Sequence, residues 1–239
     1  MSSLSPLTRR LALFALVALG VYAPALNGDF ISDDQHYVRE NPYVHALDWS
    51  SLVAIADPTS VVTRLVENYA PVHLVLHGLE WQLFGPEVFG YHVVNVLLHA
   101  LAAWLLIPVC RRSGIPPLAA SAGAAIFLLH PANVESVAWI SQLKSSSALA
   151  LSLGAILAHP RRPLLASALF TLALFAKPFS AFALFVVALF AWLRRRPAEA
   201  AAEPGTGGRF GWLAVWLGIL LVFGVLESLA FSKSAGQAP

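Results

Sequence analysis

Asp33 and Asp34 stand side by side in Gly28-Asp-Phe-Ile-Ser-Asp-Asp-Gln-His-Tyr37, a few residues past the first long apolar run. Two adjacent carboxylates can serve as general base, hold a divalent cation, or simply make a solvated turn. Further along, His92, Asn95 and His99 recur at i, i+3 and i+7 inside an apolar stretch, hence on one helical face. Such groups either bond neighbouring helices or hold a phosphate or sugar. His130-Pro-Ala-Asn-Val-Glu135 forms a polar turn at the mouth of another apolar run, where the charge of Glu135 requires a partner. Lys144, nine residues on, could pair with it, or both could contact a ligand. Lys177, in Phe-Ala-Lys-Pro-Phe, is either a snorkelling interfacial lysine or a point charge for a lipid-linked phosphate. His73 and His77 have i, i+4 spacing but lack the neighbouring glutamate and third ligand of a zinc site, so no metal centre is expected.

These residues are carried by a chain that is 58% hydrophobic and 12% charged over 239 residues, against about 25% charged in an ordinary soluble domain. A water-soluble fold is thereby made improbable. The formal charge of +2 is too small to argue for nucleic acid, and Cys110, the one cysteine, excludes a disulfide within the chain and a multi-cysteine metal site. A helix needs about 20 mostly apolar residues to cross lipid, and seven apolar runs are candidate spans: Leu11 to Leu26, which can be lengthened to about Leu7, Tyr91 to Val109, Pro117 to Leu129, Val134 to Ala158, the two short runs Leu164 to Ala176 and Phe179 to Leu193, and Phe210 to Phe231. An all-α membrane protein of about seven transmembrane helices is expected, one polytopic domain over 1–239.

Lys and Arg gather on the cytoplasmic side of a membrane protein. Arg9-Arg10, Arg111-Arg112, Arg161-Arg162, Arg194-Arg195-Arg196 and Arg209, ten of the fifteen basic residues, fall on one side of this alternation. The amino terminus is then cytoplasmic and the carboxyl terminus exoplasmic. A cleaved signal peptide is the alternative for the first run, although Pro24 and Asn27 make a poor cleavage context. The segment 27–90 holds nine of the thirteen acids and reads as a structured exoplasmic loop. Within it, Val72, Val75, Leu76, Leu79 and Leu83 keep a helical period with Glu80 and Gln82 off the stripe, which predicts a helix lying in the membrane interface. Trp49, Trp81, Tyr37, Tyr43, Tyr69 and Tyr91 suit the headgroup level. The Ala-, Gly- and Glu-rich stretch 197–209 reads as a flexible cytoplasmic linker. With this topology the acid pair, His130, Glu135, Lys144 and Lys177 converge on one exoplasmic mouth, which supplies a base for an acceptor and cations for a leaving phosphate.

The order of motifs carries a resemblance. Asn27-Gly-Asp-Phe-Ile-Ser-Asp-Asp34, Asn68-Tyr-Ala-Pro71, Gly90-Tyr-His-Val-Val-Asn-Val-Leu-Leu-His99, Leu129-His-Pro-Ala-Asn-Val-Glu-Ser-Val-Ala-Trp139 and Lys177-Pro178 resemble the membrane half of GT-C glycosyltransferases. The likeness is to the protein O-mannosyltransferase-like group that includes the transmembrane and tetratricopeptide-repeat proteins and their bacterial relatives. It implies a GT-C-like module that passes a sugar from a polyprenyl-phosphate-linked donor, a membrane lipid, to an acceptor hydroxyl on the exoplasmic side, and a multi-pass protein of a bacterial inner membrane. The resemblance places the catalytic base on Asp33 or Asp34 and lines the substrate pocket with His130, Glu135, Lys144 and Lys177, to which the polar face of His92, Asn95 and His99 is added. No cofactor is called for, and a divalent cation stays open. Ala70 and Ser145 occupy positions where such proteins often carry Arg and a carboxylate. The alternative is a non-catalytic membrane subunit that docks in a larger complex, with a partner membrane protein supplying further helices.

Overall fold

The computed structural model describes residues 6–193 and 206–235, and among them the secondary structure is helical with no strand. In chain order the helices are α1 Pro6–Val21, α2 Pro42–Ala46, α3 Trp49–Ala56, α4 Val61–Leu65, α5 Pro71–Phe84, α6 Val88–Arg112, α7 Pro117–Leu129, α8 Val134–Ala138, α9 Leu143–Ala158, α10 Pro163–Ala176, α11 Phe182–Leu193 and α12 Thr206–Ala235. Several begin on proline, whose fixed φ suits a first turn and whose missing N–H costs nothing there. In the loop, side-chain caps set the starts: Asn41 Oδ1 accepts from the Tyr43 and Val44 amides, and Asp48 Oδ1 accepts from the Ser51 amide at 2.8 Å.

Three helical stretches are long and apolar enough to cross a membrane, Val88–Arg112, Ile140–Ala158 and Gly211–Ser232. The pair Pro117–Leu129 and Pro131–Ala138, bent by 52°, makes a fourth if counted as one span. Pro163–Ala176 and Pro178–Leu193 are shorter apolar helices. The chain is therefore an integral membrane protein. Its outer surface agrees, since Leu217, Leu221, Val222 and Val225 of α12 are exposed.

α6 packs against α1, α7 and α9, and α9 in turn packs on α10, so α6 and α9 form the centre of the bundle. A second core joins α10, α11 and α12, where Trp216 stacks on Phe170 with ring centroids 4.2 Å apart and donates its indole N–H to Ser167 Oγ at 3.0 Å. The segment between α1 and α6 builds a further core from Tyr37, Val38, Val44, Ile55, Val62 and Leu74, closed by Tyr91 of α6.

Three expectations change. The run Val134 to Ala158 is not one helix: α8 stops at Ala138, Trp139 is extended, Ile140–Gln142 makes a 3-10 turn, and α9 starts at Leu143. Tyr37, Tyr69 and Tyr91 are core residues rather than headgroup aromatics, whereas Trp49 is 79% exposed. Helix α5 exists as expected, with Leu79 and Leu83 outward and Glu80 inward beside His73 and His77. Finally, α12 begins at Thr206, inside the stretch read as linker; 197–205 lies outside the described residues.

Candidate functional site

The break between α8 and α9 is where the loop meets the bundle. An interrupted helix at membrane depth must find partners for its freed backbone groups within the protein. Here Asn95 Nδ2 of α6 donates to the carbonyls of Trp139 at 2.9 Å and Ile140 at 3.2 Å. The Ser141 amide donates to Asp34 Oδ1 at 2.8 Å, and the Ser141 hydroxyl donates to the same oxygen. Asp34 Oδ2 accepts from the Ile31 amide at 2.9 Å. Asp34 is thus fully buried with both oxygens engaged, pinning the acid loop to the break. The Trp139 carbonyl also accepts from the Gln142 amide at 3.1 Å and the Ile140 carbonyl from the Leu143 amide, so Asn95→Ala should remove the two bonds from α6 without orphaning either carbonyl and cost about 1–2 kcal/mol, read as a lower unfolding midpoint in detergent; an unchanged midpoint would remove Asn95 from this role.

Asp33 is placed differently. It is half-buried, its side chain accepts from Ser32 Oγ at 3.3 Å, and it interacts electrostatically with Lys144 and Tyr37. Ser32 just before it has φ 48°, the left-handed region that a serine rarely occupies without a constraint. The neighbouring aspartates thereby separate into one committed to structure and one open to chemistry. Each Asp34 oxygen already has protein donors, and among the described residues no group of three or more His, Cys, Asp or Glu is arranged to hold a metal ion.

Lys144 lies with its Nζ 4.7 Å from the Tyr37 ring centroid, close enough to Asp33, Asp34 and Lys177 to feel their charges. It forms no ion pair with Glu135, so the pairing considered from sequence is not made. Glu135 is exposed at the start of α8 and acts on Lys177 instead. Burial holds the Lys177 ammonium below the ordinary lysine range, and Glu135 opposes that shift. Lys177 Nζ donates to Ser145 Oγ at 2.6 Å. Both line a cavity of about 230 Å³ together with the polar side chains of Asn133, Ser136, Ser146 and His99 and the apolar side chains of Phe127, Leu149, Phe179 and Phe182.

The remaining residues expected at the site divide. His99 lines the cavity while its Nε2 lies 3.1 Å from the Leu128 carbonyl. His92 is buried against Gly28, where a Cβ would come within 3.2 Å of its Nε2, so the glycine lets the loop approach α6. Asn95 is the staple of the break, and neither it nor His92 reaches the cavity. His130 is exposed and accepts from the Ala132 amide through Nδ1 at 3.2 Å, a local cap.

The inward edge of α5 adds a cluster beyond the sites expected from sequence. His73 and His77 are fully buried with ring centroids 4.4 Å apart, His73 lies 4.8 Å from the Tyr37 ring, and His77 Nδ1 is 2.7 Å from Glu80 Oε2. The i, i+4, i+7 spacing was the available signal, but the Leu stripe opposite it pointed to lipid rather than to what lay inside. Burial drives His73 well below the ordinary histidine value, with His77, Lys144 and Lys177 adding to the shift and the Ser141 backbone opposing it. Burial likewise raises the Glu80 carboxyl, partly offset by His77.

The sign of the resulting pH dependence follows from linkage. Folded His73 resists protonation while the unfolded chain takes up a proton near 6.5, so below that pH stability falls by up to about 1.4 kcal/mol per pH unit. Glu80 contributes in the opposite sense, keeping its proton in the fold above the unfolded value of 4.5. The unfolding midpoint should therefore drop on acidification from about pH 7 to about pH 5.5, and His73→Gln should flatten that slope. Identical slopes in parent and variant would contradict the assignment.

Compared with known proteins, the chain is similar to Protein O-mannosyl-transferase Tmtc1 of Drosophila melanogaster, 30% identical over 127 residues that cover 51% of this chain and 15% of that protein. It is similar to Protein O-mannosyl-transferase TMTC1 of Mus musculus, 30% identical over 160 residues, 63% of this chain and 16% of the relative. Protein O-mannosyl-transferase F38B6.6 of Caenorhabditis elegans is 26% identical over 163 residues, 62% of this chain and 22% of the relative. The chain thus spans less than a quarter of the length of these relatives. Their names bear out the resemblance read from the motifs. No family profile and no solved structure matches the chain.

Proposed function

We propose that the chain is a glycosyltransferase module that passes a sugar from a polyprenyl-phosphate carrier to an acceptor hydroxyl on the exoplasmic side of the membrane. The observation that carries this reading is the cavity holding Lys177, lined by polar and apolar side chains together, with Lys144 close enough to both Lys177 and Asp33 to feel their charges. A phosphate ester with a hydrocarbon tail combines polar and apolar parts in the same way, and Phe179, which is 76% exposed, offers the tail an apolar way out. Ser145 and Ser146 belong to the first turn of α9, whose free amides and dipole add positive potential for an anion. The names of the relatives favour mannose as the sugar and a protein hydroxyl as the acceptor.

In this mechanism Lys177 and the α9 hydroxyls hold the carrier phosphate while Asp33 faces the acceptor. The acceptor oxygen attacks the anomeric carbon as Asp33 takes its proton. The bond from that carbon to the phosphate oxygen breaks, and polyprenyl phosphate leaves toward Lys177. A single displacement inverts the configuration at the sugar carbon. The topology that goes with it has seven crossings, with α1, α10 and α11 as short ones, the bent α7–α8 pair entering from the cytoplasmic face, and α5 lying in the outer interface with Leu79 and Leu83 toward lipid. The amino terminus is cytoplasmic and the carboxyl terminus exoplasmic.

Lys177→Met tests the carrier site. Loss of one charge-assisted contact should raise the Michaelis constant for a polyprenyl-phosphate sugar by about 10–100-fold in reconstituted liposomes. An unchanged constant would move the phosphate elsewhere.

A further inference from the structure

Lys177 stands on a loop between α10 and a 3-10 turn, Pro178–Ala181, where a lysine with four methylenes could point anywhere. It does not. Its ammonium donates to Ser145 Oγ at 2.6 Å, and the Ser145 hydroxyl donates to Gln142 Oε1 at 2.5 Å. A serine has one hydrogen to give, so the chain has a fixed direction: the amide oxygen of Gln142 orients the hydroxyl, and the hydroxyl turns its lone pair to the lysine. One of three ammonium hydrogens is used and two remain for the cavity. The partner is neutral, so it aims the charge without cancelling it. The carboxylate that acts on Lys177, Glu135, is exposed and forms no ion pair with it.

Resting on the carrier reading above, we propose that Ser145, oriented by Gln142, is a positioning residue that aims the Lys177 ammonium into the cavity and leaves its charge free for a phosphate monoester or diester. A carboxylate at this position, as the proteins this chain resembles often carry, would hold the ammonium in an ion pair and leave it less free for the ligand. A methyl group would leave the ammonium unaimed. Threonine, with the same hydroxyl, would serve nearly as well, because Ser145 is half-buried beside an open cavity.

The test is binding of a polyprenyl monophosphate to the full chain in phosphatidylcholine nanodiscs, followed by native mass spectrometry across an alkaline pH series. Ser145→Asp should bind about tenfold or more weakly than the parent, Ser145→Ala should bind more weakly by a smaller factor, and Ser145→Thr should stay close to the parent. The pH of ligand release supplies the readout that a merely structural role would not move. Ser145→Asp holds the proton on Lys177 and shifts release upward, while Ser145→Ala removes a favourable contact to the ammonium and shifts it downward. Should the Asp variant fail to fold, the Ala and Thr pair still gives the sign. Parent-like binding and release in both Ser145→Asp and Ser145→Ala, with binding lost in Lys177→Met, would overturn the positioning role and leave the carrier site standing. Binding that is absent from the parent, or undiminished in Lys177→Met, would overturn the carrier site and the positioning role with it.

Discussion

Asp33→Asn is expected to lower sugar transfer by about 10²–10⁴-fold while leaving the protein as stable as its parent. The amide has the shape of the carboxylate but cannot take the acceptor proton. Because among the described residues the Asp33 side chain hydrogen-bonds Ser32 Oγ and no backbone group, the backbone of the loop loses nothing by the change. The proposed carrier site is built on other residues, so affinity for polyprenyl phosphate should be retained and the loss should fall on kcat. Transfer at the parent rate would remove Asp33 from the mechanism.

Asp34→Asn should behave in the opposite way. Asp34 accepts from the Ile31 amide through one oxygen and from the Ser141 amide and hydroxyl through the other. Whichever oxygen becomes an NH2 group then faces a donor, at full burial, where an unmade bond to a charged acceptor is expensive. The change should cost about 2–4 kcal/mol and lower the unfolding midpoint by roughly 5–15 °C. Activity would fall too, through detachment of the loop from the break between α8 and α9, and lowering the assay temperature should recover part of it. A stable but inactive Asp34 variant beside an active Asp33 variant would reverse the division of labour.

Two identical residues side by side in a sequence give no sign of which is which, and this is where reading from sequence stops. The helices were legible wherever an apolar run ended at a proline or a basic pair, as α7 does between Pro117 and His130 and α10 does after Arg162. The shared face of His92, Asn95 and His99 was legible from spacing, and the convergence of Lys144, Lys177 and the acid loop followed from the alternation of basic clusters. The break at Trp139 was not legible, because Val137-Ala-Trp-Ile140 is as apolar as any span. What interrupts it is tertiary: Asn95, about 44 residues earlier, and Asp34, 107 residues earlier, offer its backbone better partners than the helix would. Local periodicity carries no record of such partners. Helix α5 shows the same limit: the spacing of His73 and His77 was legible, but not that they and Glu80 would be buried together behind the Leu stripe.

The most direct measurement puts the full chain in liposomes with a polyprenyl-phosphate-linked sugar and a hydroxyl acceptor, and reads the anomeric configuration of the product by NMR alongside an Asp33→Asn control. The mechanism requires transfer with inversion in the parent and its near-disappearance in the control. Retained configuration, or equal transfer by both proteins, would contradict a single displacement assisted by Asp33.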